Sequence, residues 1–114
     1  MAEDLGQSSR DEIPSMRVVW SRRAVTHLVS LRNYIAKDSE QNAAAVSSRI
    51  LESIDLLSSQ PSMGRPGRLP GTRELVVTGT PYVIPYRVRH DRLELIAVFH
   101  GRQKWPDKLD PAGS

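Results

Sequence analysis

The sequence contains no cysteine. That excludes disulfides and thiolate metal sites and makes a reducing compartment its natural setting. No apolar run approaches the length of a membrane span. No charged segment followed by an apolar stretch opens the chain in the manner of an export signal. The expectation is a cytoplasmic protein with no membrane partner. Internal repeats and low-complexity tracts are missing. So are the phosphate-cradling patterns G-x-x-x-x-G-K-[ST] and G-x-G-x-x-G and the G-x-S-x-G elbow, which leaves no signal for a nucleotide cofactor or a serine hydrolase. His27, His90 and His100 follow no metal-ligand spacing. Neither a cofactor nor a metal is expected.

What is present is charge, unevenly spread. The 114 residues, one domain by the usual prior, carry a net +3. Residues 1–15 hold Glu3, Asp4, Asp11 and Glu12 against Arg10, a net of −3. Residues 65–105 hold Arg65, Arg68, Arg73, Arg87, Arg89, Arg92, Arg102 and Lys104 against Glu74, Asp91 and Glu94, a net of +5. Guanidinium dominates that stretch, and its planar fork suits carboxylate or phosphate. The expectation is that these groups gather on one flank as a docking site for an acidic partner.

Local patterns supply the elements. Residues 1–15 lack periodicity and read as a flexible leader. Arg17–Trp20 is short and β-prone. Ser21 suits an N-cap, and Ala24, Leu28, Leu31 and Ile35 then mark one helical stripe ending near Lys37-Asp38. Ser39 caps a second helix with Ala43, Val46, Ile50, Ile54 and Leu57 inward, closed by Gln60-Pro61. The short link predicts an antiparallel helical hairpin. Pro61 to Gly71 reads as loop. Three strands follow: Arg73–Val77, then a run from Tyr82 through Val88, then one from Leu93 to His100.

In the last strand Leu93, Leu95, Ala97 and Phe99 alternate with Glu94, Ile96, Val98 and His100. Arg89-His90-Asp91-Arg92 suits a hairpin loop. Pro85, unable to donate to a ladder, predicts a bulge or an unpaired position. Tyr82 and Tyr86 share one strand face; if that face is the core their rings pack there, and Arg87 then points towards solvent or a partner. His27 reads as a boundary residue. His100, beside Gly101-Arg102, is a candidate proton-transfer group or a hydrogen-bonding one. The tail from residue 107 reads as unstructured.

Trp20-Ser21 with Ala24, Leu28 and Tyr34-Ile35-Ala36, the Gly64-Arg65-Pro66-Gly67-Arg68 loop, Gly71 to Leu75, Tyr82 to Val88, and His100-Gly101-Arg102-Gln103-Lys104-Trp105-Pro106 together resemble the RelE/ParE superfamily of toxins from bacterial type II toxin–antitoxin modules. The resemblance covers residues 16–106. It implies an α+β fold, with an N-terminal helical hairpin packed on a mainly antiparallel three- to four-stranded sheet. It also implies a cognate antitoxin that neutralises the toxin with an acidic segment folding on binding, and contact with operator DNA only through that antitoxin.

RelE-like members cut mRNA on the ribosome, whereas ParE-like members poison DNA gyrase. The RelE residue set does not carry over. Glu74 and Val76 fall where that pattern has lysines, Val83 where it has an arginine, and Gln103 where it has a late arginine or histidine. Gyrase is therefore the expected target, with Arg65, Arg68, Arg73, Arg87, Arg102, Lys104 and Trp105 as the target- or antitoxin-binding set. If the chain is instead a ribonuclease, the candidates are His100, Arg102, Glu74 and Arg73. A degenerate toxin that only binds its antitoxin is the third reading.

Overall fold

The computed structural model describes residues 15–106; the leader, apart from Ser15, and the tail lie outside them. The elements run β1 (Arg17–Trp20), α1 (Arg22–Ala36), α2 (Glu40–Ser59), β2 (Arg65–Pro66), β3 (Arg73–Val76), β4 (Tyr82–Arg89), β5 (Arg92–Leu95) and β6 (Phe99–His100). Both predicted caps form. The Ser21 hydroxyl accepts from the Ala24 N–H at 2.9 Å and Ser39 from Asn42 at 3.0 Å, each satisfying a first-turn donor left without a helical partner. Met16 N–H donates to the Ser58 carbonyl, tying the start of β1 to the end of α2.

The sheet is ordered β1-β5-β4-β3-β2, with β6 also pairing β4. Pairings are antiparallel except β1 with β5. The two helices cover one face. Ala24, Leu31, Ile50, Ile54 and Leu57 pack there against Leu75, Tyr82, Ile84, Tyr86, Leu93, Leu95 and Val98. Both tyrosines lie in the core, so the face they share in the alternation is the one the helices cover. On the far face a smaller cluster of Ile96, Ala97 and Phe99 is roofed by Leu69 and Trp105.

Three sequence expectations need correction. Among the described residues the sheet has six strands, because β2 is added and the expected last strand is split into β5 and β6. The added strand, β2, lies inside the segment expected to be loop and exists only through its ladder with β3. The strand expected from Leu93 to His100 breaks after Leu95. Between the pairs Tyr86↔Leu95 and Val83↔Phe99, two residues of β4 face three of the other strand, which is a β-bulge. The extra residue shifts the phase of the alternation. Val98 joins Leu93 and Leu95 on the helix side, while Ala97 and Phe99 move to the far face.

Pro85 explains where the break falls. Its carbonyl accepts from Ile96 N–H at 2.9 Å, so its nitrogen faces the same neighbour but carries no hydrogen to return. The Ser21 hydroxyl donates to the Ile96 carbonyl at 2.8 Å instead. The β4–β5 turn is made by His90 and Asp91 at φ 54° and 60°, the left-handed pair a two-residue hairpin requires; His and Asp are among the side chains enriched there.

Candidate functional site

Register decides which of the predicted site residues meet, because directly paired residues share a face. Glu74 pairs with Arg65 on one side and Pro85 on the other, which sets it on the far face. Its side chain is only 3% exposed. Arg65 donates to Oε1 through Nη2 at 3.1 Å and Nε at 3.3 Å. The Arg68 backbone N–H donates to Oε2 at 2.9 Å, and the Arg68 guanidinium lies 3.5 Å from the same oxygen. Arg68 also stacks 3.6 Å above the Trp105 ring, which in turn packs on Phe99 at 4.6 Å. Arg65, Arg68, Glu74 and Trp105 are thus one assembly, and both carboxylate oxygens are engaged inside it.

Arg87 follows the same logic one register further on. It pairs with Glu94, and its Nε donates to Oε1 at 2.6 Å, while Arg89 lies 3.7 Å from that oxygen. The Arg87 hydrogen bond and the charges of Arg87, Arg89 and Arg92 hold the Glu94 carboxyl below the usual carboxylate range. Arg87 leaves the core face as expected, but it turns to Glu94 and is 18% exposed.

Arg73 lies on the helix side, paired with Tyr86. Its guanidinium donates to the carbonyls of Gly64 at 2.7 Å and Ser62 at 3.3 Å. Tyr86 completes that corner, accepting from Gly64 N–H at 2.9 Å and donating to Pro61 at 2.7 Å. Burial raises its phenol above the ordinary value, and the Gly64 hydrogen bond and Arg73 charge partly offset this.

His100 pairs with Tyr82 and so belongs to the helix side, with the two rings edge to face at 5.7 Å. Its Nδ1 accepts from Arg102 N–H at 3.1 Å, and its own N–H donates to Gln103 Oε1. His100 and Glu74 therefore stand on opposite faces and do not form an acid–base pair. The side chains of Arg102 and Lys104 are exposed in the turn that follows.

The guanidinium groups gather only in part: Arg65, Arg68, Arg87, Arg89 and Arg92 share the far face, where the first four contact Glu74 or Glu94. Arg73 is on the other face, and Arg102 and Lys104 sit beyond β6. Sequence reading also missed a cleft of about 420 Å³ where His100 meets His27, Tyr34 and Tyr82. The His27 Nδ1 accepts from Val98 N–H at 3.1 Å. Burial and then the Arg23 charge hold this imidazole below its ordinary value. These residues are far apart in the chain, and no spacing rule would have joined them. Among the described residues no cluster of three His, Asp or Glu side chains is placed to hold a metal. No described helix is long and apolar enough to cross a membrane.

Residues 18–105 match the family model of the ParE toxin of the type II toxin–antitoxin system parDE. The chain is 44% identical over 93 residues to a Sinorhizobium fredii protein named "Putative toxin Y4kP", covering 82% of this chain and 96% of that one. It is 34% identical over 84 residues to Toxin RelE2 of Caulobacter vibrioides, covering 74% and 93%. A solved chain from the chromosomal ParDE system of P. aeruginosa has the same fold, with a TM-score of 0.68 at 24% identity, over 75% of this chain and 96% of that one.

Proposed function

The chain belongs to the ParE toxin family of type II toxin–antitoxin systems, and from that premise we propose that it arrests growth by acting on DNA gyrase rather than by cutting mRNA. One observation carries the choice: Glu74 and His100 lie on opposite sheet faces, and Glu74 is buried with both oxygens engaged. Cleavage of RNA by attack of a 2′-hydroxyl needs one group to accept a proton and another to return it, with cations around the phosphorus. A buried carboxylate whose two oxygens are already engaged by Arg65 and Arg68 does not serve as that base. Glu94, a second glutamate on the same face as Glu74, is likewise held by Arg87.

The antitoxin is the second partner we propose. Val25, Val29, Leu51 and Leu56 are each about half exposed on the helical hairpin, an apolar surface that a segment folding on binding can cover. Residues 16–106 suffice for both partners under this reading, which sets the protein in the cytoplasm.

The test is induction of the chain alone and beside its antitoxin. Arrest relieved by the antitoxin, an SOS response, and gyrase–DNA cleavage complexes stabilised by purified protein are the expected results. Ribosome-dependent mRNA cuts lost in His100→Ala would overturn the gyrase assignment. Normal growth despite folded, induced protein would leave only a degenerate antitoxin binder.

A further inference from the structure

At the hairpin end of the sheet, three arginines stand side by side on adjacent strands. Arg17 of β1 is the register partner of Arg92 of β5, which is also the partner of Arg89 of β4. Val18 and Trp20 pack into the helix-side core, and Leu93 and Leu95 are buried in it, so the alternating positions Arg17 and Arg92 point to the far face, and Arg89 follows by register. Strands lie about 4.8 Å apart, so the row spans roughly 10 Å. Like charges directly opposite one another are unfavourable in a sheet. The next row holds the single relief, Glu94, which already accepts a 2.6 Å hydrogen bond from Arg87 and lies 3.7 Å from Arg89. Arg17 and Arg92 have no carboxylate within ion-pair distance among the described residues. Asp91, in the turn, is exposed and pairs with none of them.

We infer that this row binds the phosphodiester backbone of a nucleic acid, without reading its sequence. Guanidinium forks match phosphate oxygens, and backbone contacts position a protein without specifying bases. An acidic protein segment would need apolar anchors beside the charges, because protein interfaces take most of their energy from buried apolar and aromatic groups. The row offers none. Of the exposed apolar side chains, Val25, Val29, Leu51 and Leu56 lie on the helices, Val88 shares the helix side with its partner Leu93, and Val76 pairs with Val83 at the other end of β4. Charge without an apolar anchor is the pattern of nucleic-acid backbone binding, which counterion release dominates. This inference goes beyond the choice of target, and its test uses nucleic acid alone, so either can fail without the other.

Fluorescence anisotropy with the purified full chain, a random-sequence DNA duplex and a single-stranded RNA tests it between about 50 and 200 mM salt. Three phosphate contacts predict a log–log salt slope of about −2.7 for the duplex, roughly a 40-fold loss of affinity across that range, and about −2 for the single strand. Arg17→Ala/Arg92→Ala should leave a duplex slope of about −0.9, while Arg17→Lys/Arg92→Lys keeps most of it. Arg89→Ala alone should remove about 0.9 from the slope. Arg22→Ala/Arg32→Ala, an equal loss of charge on exposed helix positions, should change nothing. The ratio of the two wild-type affinities tells DNA from RNA, and tighter binding of either supports the inference. Absence of binding to both probes at low salt, an unaltered slope in both alanine variants, an equal drop in the helix control, or a preference for polyglutamate would overturn it.

Discussion

A single hydroxyl joins the first helix to the broken strand, and its removal has a calculable cost. Ser21 caps α1 by accepting from Ala24 N–H and at the same time donates to the Ile96 carbonyl. Ile96 is fully buried, and Pro85 opposite has no N–H to offer. Ser21→Gly separates the two roles, because glycine is a tolerable N-cap that costs only about a few tenths of a kcal/mol relative to serine. The unsatisfied carbonyl then adds about 1–3 kcal/mol. Ser39→Gly is the matched control: its hydroxyl only caps, at an exposed site, so about 0.5 kcal/mol or less is expected. The cap cost is common to both, so the predicted gap between the two variants is about 1–3 kcal/mol, or roughly 4–24 °C in Tm for a domain of this size. Urea unfolding at constant m measures it. If the two glycine variants lie within about 0.5 kcal/mol of each other, the uncertainty of such comparisons, the account of Pro85, the bulge and Ser21 is wrong.

Tyr86→Phe strands the Gly64 N–H and the Pro61 carbonyl together and should cost about 2–4 kcal/mol by urea unfolding; a loss below about 0.5 kcal/mol would show that water replaces the hydroxyl. Glu74→Gln keeps the volume but can turn an amide donor towards the Arg68 N–H, and should cost about 1–3 kcal/mol, limited by the rehydration of the half-exposed Arg65 and Arg68. Two acid limbs are expected in the stability profile. His27 is held below 6.5 in the folded chain, so the unfolded state takes up its proton first; its contribution is present above pH 6.5 and lost as pH falls from there through the folded value, and His27→Gln should flatten this limb. Glu94 is held below 4.5, so its contribution is present above that value and lost as pH falls through the folded one, a limb that Glu94→Gln should remove. A profile unchanged by both variants would contradict the two assignments.

The helices were legible because their determinants are local. Ser21 and Ser39 precede apolar stripes, and Gln60-Pro61 ends the second one. The β4–β5 turn was legible as four polar residues, although His90-Asp91 is weak turn chemistry. The short strand β2 was not, since nothing in Arg65-Pro66 favours a strand until Glu74 and Arg73 lie beside it. Nor was the break after Leu95 readable from its own residues, because Ile96-Ala97-Val98 continues an apolar run without interruption. The one clue was on the other strand, where Pro85 announced a defect without saying which strand would carry it. The family resemblance supplied the layer arrangement that periodicity alone left open.

Arginines that look alike in the sequence are made unlike by the ladder. Arg65 and Arg87 each have a glutamate as direct register partner and are ion-paired with it. Arg17 and Arg92 have each other instead. The parallel pairing that brings them together joins the two ends of the fold, so no local reading of the basic stretch from residue 65 onward includes Arg17. Among the described residues, setting aside Arg65, Arg68 and Arg87 on their glutamates and Arg73 on its carbonyls leaves two groups of cations along β4. One is the row Arg17, Arg92 and Arg89 at the end of β4, where only Arg89 lies within ion-pair distance of a carboxylate, that of Glu94. The other is Arg102 and Lys104, next to its beginning, where Gly101 N–H donates to the Pro81 carbonyl at 2.7 Å. The eight residues of β4 separate them by about 24 Å at 3.4 Å per step. A single acidic segment engaging both has to run extended for about seven residues. A compact anionic group can satisfy only one, so substitutions at the two ends should affect separate partners and add without coupling.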